Sequence, residues 1–312
     1  MPTNSRPPVH LLAGPVLRPR SRASSLANPL ASPYVIAPVN PLAGRLALAL
    51  TVTLCAALIL LAAAPARAAG GDDDSIVTDR PDFVESSAVV GKGRVQIETS
   101  VAAERSSRDG VKARATATPT LLRLGVSDTI ELRVETDGRL HSWTRGAASD
   151  DASGMADTSL GVKWHVRDGA GEGGAPALGL LLHADLASGA RAVRASAVRP
   201  SVRVVAEWEL ADELSLGVMP GLASEIDDAG RRGTTGIAAV VLGKQWNERW
   251  RSFIELSAPR IAKSRHGGSL LSFDVGSAWL LNKQCQLDAA LSAGLNRTTP
   301  DLAVTVGISF KL

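Results

Sequence analysis

Cysteine is nearly absent from this 312-residue chain. Cys55 sits in an apolar run near the start, and Cys285 stands alone in the remainder, which excludes an intramolecular disulfide there. An exported fold without disulfides needs another device, such as a large core or a closed sheet. Long apolar runs are missing from the last two-thirds of the chain, where nothing approaches the ~20 residues of a spanning helix. Aromatics amount to 4%, so any aromatic belt is built from few residues. Acidic residues do not occur before Asp72, whereas Arg6, Arg18, Arg20, Arg22, Arg45 and Arg67 all precede it. Of 34 basic and 31 acidic residues, the part after residue 68 therefore keeps 28 basic against 31 acidic. The apparent basicity belongs to the first segment, and the rest lacks the cationic footprint that nucleic acid requires.

Residues 45–68 join a cation (Arg45), an apolar core to Ala64 and the small-x-small ending Ala66-Arg67-Ala68. These are the three parts of a secretory signal, with the cut expected near Ala68. A membrane anchor is the competing reading of that run. A lipoprotein anchor on Cys55 fits less well, because Leu54 stands where a small residue is usual. Residues 1–44, rich in Pro, Ser and Arg, read as a disordered extension or an overcalled start. Residues 69–93 read as an N-terminal periplasmic or lumenal segment, and 94–312 as the folded domain.

From Arg94 onward the pattern has period two, the mark of strands. Val95, Ile97, Thr99 and Val101 alternate with Gln96, Glu98 and Ser100. The same rule holds for Ile130, Leu132 and Val134 against Glu131, Arg133 and Glu135, and for Leu160, Val162 and Trp164 against Gly161, Lys163 and His165. It continues to the end, where Leu302, Val304, Val306, Ile308, Phe310 and Leu312 alternate with Ala303, Thr305, Gly307, Ser309 and Lys311. Twelve such segments can be counted, many of the length a tilted strand needs to cross a bilayer. In the segment 113–126, Ala113, Ala115 and Ala117 have one parity, and Leu122, Leu124 and Val126 the other. A bulge near Pro119-Thr120 would repair that break.

Connections also alternate. Short ones fall at Ser127-Asp128, Ala211-Asp212, Asn247–Arg249 and Asn282-Lys283; longer ones near 105–112, 137–156, 187–196, 223–233 and 259–269. The 167–175 connection is of middle length. Short periplasmic turns and long outer loops are the asymmetry of outer-membrane barrels. Trp164, Trp208, Trp246, Trp250 and Trp279 gather on the short-turn side, as interface-seeking indoles do. The expected fold is all-β: an antiparallel up-and-down transmembrane β-barrel of about twelve strands. A soluble periplasmic β-sandwich with a binding role shares the alternation and is the alternative.

One stretch carries a family resemblance. Thr78-Asp79-Arg80-Pro81-Asp82-Phe83-Val84-Glu85-Ser86-Ser87, leading into Val95-Gln96-Ile97-Glu98, resembles the opening of the outer-membrane transporter family named for the meta pathway of phenol degradation. Leu121-Leu122-Arg123-Leu124-Gly125-Val126-Ser127-Asp128 with Ile130-Glu131-Leu132-Arg133 is similar to that family's second and third strands. The resemblance implies a barrel, a transport role for small molecules and no catalytic residues. Its name suggests aromatic or apolar permeants. Outer-membrane strands usually end on an aromatic residue. This chain departs from that, with Leu312 terminal and Phe310 two positions earlier on the same face.

With the apolar face in lipid, the polar face lines the lumen. Its candidates are Glu98; Glu131, Arg133 and Glu135; Lys163 and His165; His183 and Asp185; Arg199, Arg203, Glu207 and Glu209; Glu255; Asp274; and Asp288. Rings of mixed charge can select permeants, or can pair and fill the lumen. A packed lumen would suit a structural or lipid-processing barrel. His183, Asp185 and Ser201 would be the hydrolytic constellation to test in that case. No nucleophile-elbow motif accompanies them. The histidines show no metal-ligand spacing, and neither a metal nor a cofactor is expected. The expected partners are outer-membrane lipid, the outer-membrane assembly machinery and a small-molecule permeant.

Overall fold

The computed structural model describes residues 75–146, 149–226, 230–264 and 267–312. The leader at 45–68, its cleavage site, the extension at 1–44, Asp227, Asp228 and His266 lie outside the described residues.

Among the described residues the regular structure is strand: β1 (Val95–Arg108), β2 (Val111–Ala117), β3 (Thr120–Gly125), β4 (Ile130–Thr136), β5 (Arg139–Arg145), β6 (Asp150–Met155), β7 (Thr158–Arg167), β8 (Ala177–Leu186), β9 (Arg199–Ala211), β10 (Leu214–Val218), β11 (Gly221–Ile226), β12 (Arg232–Asn247), β13 (Trp250–Ile261), β14 (Leu270–Asn282), β15 (Cys285–Gly294) and β16 (Leu302–Lys311). Four consecutive pairs each trace one path, interrupted near Pro119, Gly138, Ala156 and Pro220: β2 with β3, β4 with β5, β6 with β7, and β10 with β11. Twelve strands result, each antiparallel to its sequence neighbours. The last returns to the first, from Gln96↔Lys311 to Arg105↔Leu302. This closure removes the sandwich reading, because one continuous ladder replaces two facing sheets. A closed ladder also satisfies the backbone polar groups without water, as a lipid environment demands.

The alternation sorts the side chains as the polarity pattern requires. Val101, Val306 and Ile254 stand on the outside, 64%, 59% and 49% exposed, while Gln96, Glu98, Glu131, Lys163 and Ser309 face inward and are fully buried. An outer surface this apolar has no stable contact with water and is the lipid face. Both ends of the barrel lie at the short-turn end, where Leu312 N donates to Val95 O at 2.8 Å. The five tryptophans are there too. Trp246, Trp250 and Trp279 form a row, with Trp246 stacked on Trp250 (centroids 5.5 Å apart) and Trp279 tilted against Trp250 (6.3 Å). Their row keeps its polar ends satisfied, since Trp246 Nε1 donates to Ser252 Oγ (2.7 Å) and Trp250 Nε1 to Ser277 Oγ (2.6 Å).

Two expectations are corrected. The bulge expected at Pro119-Thr120 is absent from that strand. Ala102↔Ala117 and Thr99↔Thr120 keep a single register against β1, and Ala115, Ala117 and Arg123 share the inner face. The extra residue belongs to the neighbouring path, between His141 (opposite Thr116) and Thr136 (opposite Thr120). It is accommodated at Asp137-Gly138, where Gly138 has φ of 63° and Thr118 N donates to Asp137 O at 3.0 Å. Alanine fits either face of a strand, so its apolar character does not report orientation. Three of the outer connections are also shorter than expected. β1 and β2 extend to a tight turn at Asp109-Gly110, both with positive φ, and 137–156 is largely the β5–β6 hairpin. Strands 223–226 and 232–233 likewise continue into the 223–233 region. Strand ends that rise beyond lipid are wet on the outside, so their outward residues are polar and the alternation fades.

Candidate functional site

Residues 76–90 lie inside the barrel. They enter at the short-turn end, where Ile76 N donates to Lys283 O (2.7 Å), rise to a bend at Pro81–Phe83, and descend to β1. The inner wall meets them with two different surfaces. On one side Leu181, Val205, Met219, Val241 and Phe253 form an apolar cluster that packs on Val84, with Phe83 at its edge. On the other side the wall is ionic.

That ionic wall is built around three cations from three strands. Arg123 uses all five of its N–H donors. Nε and Nη2 reach Glu131 (2.9 and 3.0 Å), Nη1 reaches Glu98 (3.1 Å) and Val77 O (2.9 Å), and Nη2 reaches Ala88 O (2.8 Å). Arg133 Nη1 donates to Asp79 Oδ2 (2.6 Å) and Glu131 Oε1 (2.9 Å), and its Nη2 pairs with Glu85 (2.8 Å) and Glu135 (2.9 Å). Lys163 Nζ donates to both Asp79 oxygens and to Ser86 O, each at 2.8 Å. Asp79 and Glu85 therefore supply carboxylates to wall cations that would otherwise be buried with fewer partners. An uncompensated buried charge is costly, so the segment is part of the folded interior and not a tail lying in it.

The wall's carboxylates hold the segment by its backbone as well. Glu98 accepts from Asp79 N (3.1 Å), Glu255 from Phe83 N and Val84 N (both 2.9 Å), Glu207 from Ser87 N (2.6 Å) and Glu131 from Val90 N (2.9 Å). Arg203 Nη1 donates to Glu85 Oε1, and Arg80 reaches Asp288 (3.3 Å) and Thr305 (2.9 Å). Thr78 Oγ1 accepts from Gln286 and donates to Arg80 O, both at 2.8 Å. Ser86 Oγ accepts from Ala88 N at 3.0 Å. Arg251 caps the bend at Arg80 O (2.7 Å) and Asp82 (3.3 Å).

Of the fifteen lumen candidates all but Glu209 are buried or half-buried on the inner side, but they do not act as one group. Glu98, Glu131, Arg133, Lys163, Arg203, Glu207 and Asp288 touch the segment directly. Glu135 and His183 stand one step behind, through Arg133 and Arg203. Asp185 and Arg199 form a separate cluster with Asp157 and Glu225, at 3.5 to 4.0 Å. Asp274 is held by the hydroxyls of Ser257 (2.7 Å) and Ser272 (3.3 Å). His165 reaches Ser87 O at 3.0 Å, and Glu209 is exposed beside the β9–β10 turn. Arg123 was not among the candidates; its place between Leu122 and Leu124 is the signal that points it inward.

The hydrolytic constellation is not assembled. His183 and Ser201 are cross-strand partners. His183, however, turns Nδ1 to Arg203 Nη2 (3.2 Å) and Nε2 toward Glu135 (3.6 Å), and no hydrogen bond joins its ring to Ser201. Asp185 pairs with Arg199 instead of orienting the imidazole.

The segment leaves space on both sides. Toward the outer end a cavity of about 250 Å³ is lined by Pro81, Asp82, Phe83, Glu255, Asp274 and Arg203, among others. Toward the short-turn end a second, of about 290 Å³, is lined by Val77, Val84, Glu207, Gln245, Arg251 and Gln286. Asp82 borders both.

Comparison with known proteins agrees with this architecture. The family described as "Putative MetA-pathway of phenol degradation" matches residues 78–312, from the first residue of the lumenal motif to the end of β16. The chain belongs to this family. In the Phenol degradation family's terms, the match spans both the inserted segment and the whole barrel. No curated protein matches the chain. Among solved structures, an outer membrane channel from Pseudomonas putida F1 is similar, with TM-score 0.52 and 10% identity over 79% of this chain and 100% of that one. A KdgM porin (TM-score 0.44, 10% identity, 69% of this chain and 98% of that one) and the CymD monoaromatic hydrocarbon channel (0.39, 8%, 71% and 88%) also match. At 10% identity the first likeness is one of fold, the closed barrel of the bacterial outer membrane.

Proposed function

We propose that the protein is an outer-membrane channel for small molecules, with residues 76–90 as its internal constriction, exported by the leader that ends near Ala68. The observation that carries this reading is the pair of cavities, about 250 and 290 Å³, on either side of one inserted segment in a closed barrel. A barrel whose lumen served only as packing would have no use for space at both mouths. Apolar lining at Pro81, Phe83 and Ala290 in the outer cavity and at Val84 and Val241 in the other, together with the family's description, favours aromatic or apolar permeants over strongly hydrated ones. The barrel uses no catalytic group and takes lipid and the assembly machinery as its partners.

The second reading, a structural barrel with a packed lumen, draws on the bonds that pin Asp79 and Glu85 to the wall. The test is reconstitution. Single-channel conductance in planar bilayers and uptake of small aromatic solutes into liposomes are expected. A folded, inserted protein that gives neither conductance nor uptake leaves the structural reading standing and removes the channel.

A further inference from the structure

The outer rim of the barrel carries a cationic surface on its lipid side that the lumen does not use. Arg105, Lys112, Arg114 and Arg145 are all exposed and lie on the outer face, in alternation with the buried Glu104, Ala115 and Ser142. The ladder sets them directly opposite one another: Arg105 faces Arg114 across β1–β2, and Lys112 faces Arg145 across β2–β5. Like charges directly opposite on one face destabilise a sheet. Two such pairs side by side are the arrangement that a bound anion relieves. The carboxylates nearby are engaged elsewhere. Asp151 bonds His141 at 2.9 Å, and Asp301, whose charge also reaches Arg105, is clasped by Arg108. Among the described residues none of the four cations has an ion-pair partner.

Their height is as informative as their charge. On β1 the outward positions from Val95 to Ala103 carry no charge, and Arg105 is the first that does. Ten residues at ~3.3 Å each and a tilt near ~45° place Arg105 about 23 Å above Val95. That is the upper edge of an apolar band ~25 Å tall, where headgroups begin. Trp143, cross-strand partner of Arg114, brings an indole to the same level.

We propose that this face of β1, β2 and β5 binds the phosphorylated headgroup of an outer-leaflet glycolipid. Guanidinium groups suit phosphate because two parallel N–H donors match two phosphate oxygens. The acyl chains would then lie along the apolar strip of Val101, Val304 and Val306 just below. The inference rests on the outer-membrane orientation and not on channel activity.

The test is native mass spectrometry of the detergent-solubilised full barrel, titrated with diphosphoryl lipid A or with the same lipid after removal of its phosphates. Retention of the diphosphoryl form at least about tenfold tighter than the phosphate-free form is expected, since each bond to a charged group is worth more than one decade in affinity. The variant Arg105→Gln/Arg114→Gln should lose that difference, while Lys244→Gln, at the opposite end of the barrel, should keep it. The barrel's heat-modifiable gel migration checks that each variant is folded. Equal retention of the two lipids by the wild-type protein overturns the proposal, as does an unchanged preference in the folded double variant.

Discussion

Lys163→Met isolates the docking of the lumenal segment from the integrity of the barrel. Lys163 belongs to the wall, on β7, yet every hydrogen bond of its ammonium goes to the segment: two to Asp79 and one to Ser86 O, each at 2.8 Å. Methionine has similar volume and bulk, so the wall keeps its packing. Breaking a buried ion pair costs roughly 3–5 kcal/mol. The lower end applies here, because Asp79 keeps Arg133 at 2.6 Å. A loss of about 3 kcal/mol in docking corresponds to roughly a hundredfold in the docked-to-undocked ratio. Amide hydrogen exchange on the detergent-solubilised protein reads that ratio, since local opening sets the exchange rate. The reporting amides are Asp79, Phe83, Val84, Ser87 and Val90, each bonded to a wall carboxylate. Their exchange should accelerate by about two decades while the amides of β4, β7 and β8 hold their rates. Unchanged exchange in the segment would refute the argument that ion pairing docks it. Equal acceleration in the strands would show that Lys163 supports the wall instead.

Three further outcomes are expected. Arg108→Ala should loosen the outer end of the β1–β16 seam by ~1–2 kcal/mol, because Arg108 bonds Asp301, Asn296 O and Thr299 O; thermal unfolding in detergent measures it. The same clasp predicts a pH dependence. The Arg108 side chain and the Ser107 N–H hold the Asp301 carboxyl below its ordinary value, so this stabilisation is complete above the usual Asp range near pH ~4 and is lost as pH falls through the lowered value; exchange protection at the Asn296–Asp301 loop, corrected for the intrinsic pH dependence of amide exchange, should fall on acidification in the wild type and fall less in Arg108→Ala, where of the two only the Ser107 N–H remains. Gly138→Ala should block efficient folding: it adds a positive-φ penalty of ~1–3 kcal/mol and puts a Cβ 2.3 Å from Thr118 O, and the folded fraction by gel migration reads it. Val306→Arg, at the middle of the outward row of β16, should destabilise the barrel by roughly 2–4 kcal/mol in bilayers and far less in a polar detergent mixture, which equilibrium unfolding in the two media would separate.

Much of the barrel could be read along the chain. Alternation is a local property: each strand residue meets lipid or lumen according to its parity, so Glu98, Arg133, Lys163 and Asp274 were placed on the inner face by their neighbours alone. The Trp row and the short turns gave the barrel its polarity in the same way. Where the local rule lost its contrast, the reading failed. Ala113, Ala115 and Ala117 are too small to report a face, and the outer hairpins at 105–112 and 137–156 lack strand alternation in the sequence because water replaces lipid on their outer surface.

Partnership was a different matter. Asp79 and Lys163 are 84 residues apart, and Glu85 and Arg203 are 118 apart. Parity says that such residues look inward, but the choice among inward partners depends on register, strand tilt and ring closure, which no single strand encodes. The two opposed cation pairs at the outer rim arise likewise, from the β1–β2 and β2–β5 registers. Whether residues 76–90 trail in the periplasm or enter the lumen was open for the same reason. Only the closed ring, with an apolar wall facing Val84 and an ionic wall facing Asp79, creates the interior that receives them.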